Sequence, residues 1–162
     1  MVKGTTIVEV MPELMPLADK KLLDAGCGVG GLVQAMVAKG ADAWGIEPGA
    51  DNIETARQKY PDRSDHFQVA GAENLPFDDA SFDVVVFSNS LHHVPVALQP
   101  TALDECARVL RPGGQAVIAE PVPQGDHFNL SLPMEDETDV RNHALAAILD
   151  TGRHGLDITT ET

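Results

Sequence analysis

The chain has 162 residues, 43% of them hydrophobic, enough for one domain with a buried core and too many for global disorder. Its 25 acidic and 11 basic residues leave a formal net charge of −14. Such a surface repels phosphate backbones and anionic membranes, so neither nucleic acid nor membrane is the expected partner.

No stretch reads as a signal peptide or a transmembrane span. The two cysteines, Cys27 and Cys106, form no disulfide framework or zinc spacing, which points to a reducing cytoplasm. Strand-like and helix-like segments alternate, the pattern of a parallel sheet with crossover helices. Lys21–Ala25 reads as the first strand and runs into Gly26-Cys27-Gly28-Val29-Gly30-Gly31. Glycine allows a sharp turn and removes the Cβ that would hold a ligand away. Between a strand and a helix, such a turn suits a nucleotide-like cofactor.

The following helix carries Leu32, Ala35 and Met36 on one face and stops at Lys39-Gly40. Asp42–Glu47 reads as the second strand. Gly49–Tyr60 is the next helix, with Ile53, Ala56 and Tyr60 as its apolar stripe and Pro61 beyond its end. His66–Ala70 is the third strand, and Phe82–Phe87 is an unbroken apolar strand, as expected for burial on both faces. Leu103, Cys106, Ala107 and Leu110 mark a helix, Arg111–Gly114 a turn, and Gln115–Glu120 the fifth strand. Beyond it, Pro121, Pro123, Gly125 and Pro133 mark irregular chain. Acidic residues ahead of Val140, Ala144, Ala147 and Ile148 predict a helix over Asp136–Asp150.

The glycines alone leave the cofactor open. Gly26-x-Gly28-x-x-Gly31 fits the dinucleotide pattern, and Gly26-x-Gly28-x-Gly30 fits another. Glu47, at the end of the second strand, can accept hydrogen bonds from both hydroxyls of a ribose, which suits either.

Four stretches together are more specific: LLDAGCGVGG (Leu22–Gly31), GIEPG (Gly45–Gly49), GAENLPFDDASFDVVVFSNSLHHV (Gly71–Val94) and RVLRPGGQAVIAEP (Arg108–Pro121). In this order and spacing the chain resembles the class I S-adenosylmethionine-dependent methyltransferases, and most of all the group typified by the quinone and sterol enzymes. The resemblance covers about Lys20 to Pro121. It implies an α/β, Rossmann-like, doubly wound and mostly parallel sheet with helices on both faces. It implies S-adenosylmethionine as cofactor and S-adenosylhomocysteine as product. Gly26, Gly28 and Gly30 would wrap the methionine part, with Asp24 near its amino group and Cys27 in the same turn. Glu47, followed by Pro48, would hold the ribose. Ala72 and Glu73 fall where the family places adenine, and Ser88 and Asn89 face the reacting methyl. Many relatives have aspartate just before the Ala-Glu pair, where this chain has Gly71.

Methyl transfer asks for in-line alignment in a dry pocket and for a base only when the acceptor must lose a proton. His92 or His93, after the fourth strand, can be that base; equally, one can pack or cap the turn while the other is merely exposed. His66, His127, His143 and His154 are scattered in no metal-ligand pattern, so no metal is expected.

The expected organisation is one domain over 1–162, with its core at about 20–121. Relatives close the sheet with seven strands, but beyond Glu120 only the predicted helix and one short strand, Leu156–Thr160, can be placed. The chain therefore reads as a fragment of a longer protein or as a natural short form, with an unpaired edge on the fifth strand. That edge or the tail helix is expected to make a two-fold dimer, unless the helix folds over the cleft as a lid. The expected activity is methyl transfer to a small-molecule acceptor; the alternative is a cofactor-binding or scaffold protein without transfer. A nicotinamide-dependent oxidoreductase ranks third.

Overall fold

The computed structural model describes residues 6–120, 138–150, 152 and 155. In chain order its elements are α1 (Ile7–Leu14), β1 (Lys21–Ala25), α2 (Gly31–Val37), β2 (Asp42–Glu47), α3 (Ala50–Lys59), β3 (Phe67–Val69), β4 (Phe82–Ser88), α4 (Gln99–Val109), β5 (Leu110–Ala119) and α5 (Thr138–Leu149). The strands form a parallel sheet in the order β3-β2-β1-β4-β5. The doubly wound α/β expectation holds. The winding reverses between β1 and β4, and a crevice opens at the carboxyl ends of such strands.

Strand alternation supplies a core to each face of the sheet. Leu22, Val84 and Val86 pack with Met11, Val33, Met36 and Ile53 from α1, α2 and α3. Leu23, Val85 and Phe87 pack with Ala102, Leu103 and Cys106 of α4 and with Ala144 of α5. That two-sided burial explains the unbroken apolar run of β4.

Several expected boundaries move. Val33 and Met36 are the fully buried residues of α2, Leu32 and Ala35 pack on the same core while partly buried, and the helix ends at Val37. The third strand is shorter than His66–Ala70, because His66 closes a 3-10 turn that begins at Pro61. Leu110 does not end α4; it opens β5 opposite Phe82. The Arg111–Gly114 turn is a bulge inside β5. Pairing resumes at Val84 with Gln115, and Gly113 takes up the slack at φ +78°. α1 was not anticipated; its start is marked by the Glu9 carboxylate accepting the Thr6 N–H at 2.9 Å.

Among the described residues β5 pairs only with β4. α5, the helix expected over Asp136–Asp150, packs on α4 and on the turns that follow β4. His127, His154 and the strand expected at Leu156–Thr160 lie outside the described residues.

Candidate functional site

The carboxyl ends of β1, β2, β3 and β4 surround a cavity of about 380 Å³, within the size range of small-molecule sites. Ala25 and Gly26 follow from β1, Ile46, Glu47 and Pro48 from β2, and Gly71, Ala72 and Glu73 from the chain after β3. Asn89, Ser90, His93, Val94 and Pro95 close it from the β4 side. The fold thus brings together six of the residues singled out from the sequence as cofactor-binding: Gly26, Glu47, Pro48, Ala72, Glu73 and Asn89. Of the two histidines, His93 is on the wall.

The glycine turn is built by close approach. Gly26 has φ +92°, and a Cβ there would overlap the Cβ of Ser90. The Ser90 hydroxyl in turn donates to the Ala25 carbonyl at 2.6 Å. Gly28, at φ +52°, faces open space. Gly30 is a packing position: a Cβ would strike the rings of Phe67 and Tyr60. The Glu47 carboxylate spans the turn, accepting Gly28 N–H at 3.2 Å on one oxygen and Gly49 N–H at 3.1 Å on the other.

Asp24 lies behind this wall, only 2% exposed, and its Oδ1 has no hydrogen-bond partner among the described residues. Burial, and then the nearby Glu47 carboxylate, push the Asp24 carboxyl up to about 7. Cys27 is buried, and desolvation together with Asp24 and Glu47 raises its thiol far above the usual range, so it is not a nucleophile at neutral pH.

On the adenine side of the expected site, the Glu73 carboxylate folds over Gly71, into space that a side chain at position 71 would need. The segment that follows is held to α4: Leu75 N–H donates to Glu105 at 2.8 Å, and Arg108 donates to the carbonyls of Leu75 and Phe77. The motif residue Arg108 therefore shapes the site from outside.

After β4 the chain turns sharply at Asn89, φ +52°, a conformation asparagine tolerates well. Ser88 ends the strand and does not line the cavity. The turn sends the two histidines opposite ways. His93 is exposed on the cavity wall, whereas His92 is 5% exposed and its Nδ1 meets the carboxylate of Glu120. Sequence reasoning missed Ser90, Val94 and Pro95 as wall residues, and Glu120 altogether. For the first three the signal, proximity in sequence to the β4 carboxyl end, was present, but their side-chain directions were not.

Residues 23–118 match the methyltransferase domain family. The chain belongs to that family. It is 37% identical over 112 residues to a ubiquinone biosynthesis O-methyltransferase of Psychrobacter arcticus, covering 65% of this chain and 42% of that protein. It is 34% identical over 142 residues to a tRNA U34 carboxymethyltransferase of Idiomarina loihiensis, covering 82% of this chain and 42% of that protein. A solved S-adenosylmethionine-dependent methyltransferase from Methanosarcina mazei superposes with a TM-score of 0.64 at 25% identity, over 70% of this chain and 57% of that one. The chain thus spans less than half the length of these curated relatives.

Proposed function

We propose that this methyltransferase-family chain binds S-adenosylmethionine in the cavity at the sheet's carboxyl edge and transfers its methyl group to a small-molecule acceptor. The observation that carries the reading is the Glu47 carboxylate braced across a glycine turn at the β1–β4 reversal. The residues present fit the cofactor. Gly28 leaves open space, and Asp24 holds, beside Glu47, a buried oxygen without a partner among the described residues. Glu47 and Glu73 make the wall acidic, which suits a cationic ligand.

When bound, S-adenosylmethionine supplies a methyl already made electrophilic by its sulfonium. The protein's work is then to orient and to exclude water. Glu47 accepts from the ribose hydroxyls, the backbone at Gly26 and Gly28 leaves room for the methionine part, and Glu73 stands for the aspartate that many relatives carry at position 71. His93 accepts the proton of an acceptor that must lose one; His92 has no route to the cavity. The acceptor is a small molecule, as the quinone-pathway relative suggests, because a net charge of −14 provides no footprint for a phosphate backbone. The setting is the cytoplasm, which keeps the free Cys27 and Cys106 reduced; among the described residues no helix is long and apolar enough to cross a membrane.

Incubation with methyl-labelled S-adenosylmethionine and separated small-molecule and tRNA fractions tests this. Label in the small-molecule fraction is expected. Label in tRNA alone would overturn the acceptor class, and tight binding with no transfer would favour the cofactor-binding alternative.

A further inference from the structure

Glu120 lies immediately past β5, and the register that pairs Ser88 with Ala119 sets it beside the turn leaving β4. Its side chain is 10% exposed and that of His92 only 3%. One carboxylate oxygen accepts the N–H groups of Ser90 at 3.0 Å and Leu91 at 2.7 Å. The other meets Nδ1 of His92. Asn89 N–H adds a bond to the Ala119 carbonyl at 2.8 Å. From the far side the buried Gln99 donates to the carbonyls of Leu91 at 3.4 Å and Val94 at 3.2 Å. The loop is thereby gripped by one accepting side chain, Glu120, and one donating side chain, Gln99. Ser90 and Leu91 are buried, so without Glu120 their N–H groups would be left unpaired.

A carboxylate only accepts, which fixes Nδ1 as the protonated nitrogen of His92. The His92 ring then lies against the His93 ring, centroids 4.0 Å apart and planes tilted 43°. His93 lines the cavity; neither Glu120 nor His92 does.

We propose that Glu120 is the positioning residue for the acceptor end of this cavity, holding the 89–93 loop and the Nδ1–H form of His92 so that the His93 ring stands at a fixed place on the wall. The term acceptor end rests on the methyl-transfer reading; the positioning role does not. It differs from simple stabilisation in that it sets which nitrogen of a second residue carries a proton.

The test is long-range proton–nitrogen NMR of the histidine rings in the full ¹⁵N-labelled chain, paired with calorimetry using S-adenosylhomocysteine. In the wild type, Nδ1 of His92 is protonated. Glu120→Gln keeps an oxygen for the two backbone N–H groups but presents an N–H to His92. The ring proton therefore moves to Nε2, and the His93 signals shift, with affinity within about threefold of wild type. Glu120→Ala releases the loop and lowers affinity about tenfold, the scale of a lost hydrogen bond to a charged group. An unchanged His92 tautomer in Glu120→Gln would overturn the proposal, as would His93 signals that stay put. Should Glu120→Ala fail to fold, the Glu120→Gln comparison decides alone. A wild type that does not bind S-adenosylhomocysteine would defeat the methyl-transfer reading, while the ring-nitrogen result would still decide the positioning role.

Discussion

Asp24→Asn isolates the electrostatic cost stored behind the glycine turn. The Asp24 carboxyl stands at about 7 in the folded chain against 3.8 for an ordinary aspartate, through burial first and the Glu47 charge second. That separation corresponds to about 4 kcal/mol between its two protonation states, an upper bound once relaxation is allowed. The sign follows from proton binding. Below about pH 4 Asp24 is protonated in both states and costs nothing. Between about pH 4 and 7 the unfolded chain releases the proton while the folded chain keeps it, so stability falls as pH rises. Above about 7 the full cost is present. Asparagine removes it, so the difference in unfolding free energy between Asp24→Asn and wild type should grow by up to about 4 kcal/mol from pH 4 to pH 8 without ligand. Urea unfolding across that range measures the difference, and comparing two variants cancels the opposite contributions of Asp83 and Glu105, whose carboxyls are held low by hydrogen bonds and arginine charges. On the proposed reading, in which the Asp24 charge favours a cationic ligand, the same substitution should also weaken S-adenosylmethionine binding above pH 7. A stability difference that is flat across this range would refute the reasoning.

Gly26→Ala should lose about 2–4 kcal/mol of stability in urea unfolding, because φ +92° is strained for alanine and its methyl would overlap Ser90. His93→Ala should slow transfer to a hydroxyl acceptor by about 10²–10⁴-fold with cofactor affinity kept. His92→Ala should lower thermal stability, since it leaves the buried Glu120 oxygen without its partner, and, by freeing the His93 ring it packs against, slow transfer by less than His93→Ala; steady-state rates and melting curves separate the two. Sedimentation at micromolar concentration tests the dimer expected through the β5 edge or α5: a two-fold dimer is expected, and a monomer whose α5 amides gain exchange protection only with ligand would favour the lid.

What was legible in the sequence was what short-range pattern determines. β1 and β2 were read at their observed bounds because each is a compact apolar run closed by a distinctive residue, Gly26 after one and Glu47 ending the other. The α4–β5 boundary was not, because Val109 and Leu110 continue one apolar pattern while the backbone passes from helix to strand between them. The site was legible where glycines and carboxylates announce it. It was not where direction matters: His92 and His93 are adjacent in sequence, and only the left-handed turn at Asn89 and the acceptor at Glu120 send one inward and the other to the wall. Glu120 is invisible for the same reason, since its partners lie about 30 residues earlier and meet it only through the β4–β5 register.

The most direct measurement of the central claim is calorimetric titration of the full chain with S-adenosylhomocysteine, with NAD as control, repeated on Glu47→Ala. Binding of S-adenosylhomocysteine but not NAD is predicted, with Glu47→Ala weaker by about 1–3 kcal/mol, the scale of a hydrogen bond to a charged group. Equal titration curves for wild type and Glu47→Ala, or preference for NAD, would contradict it.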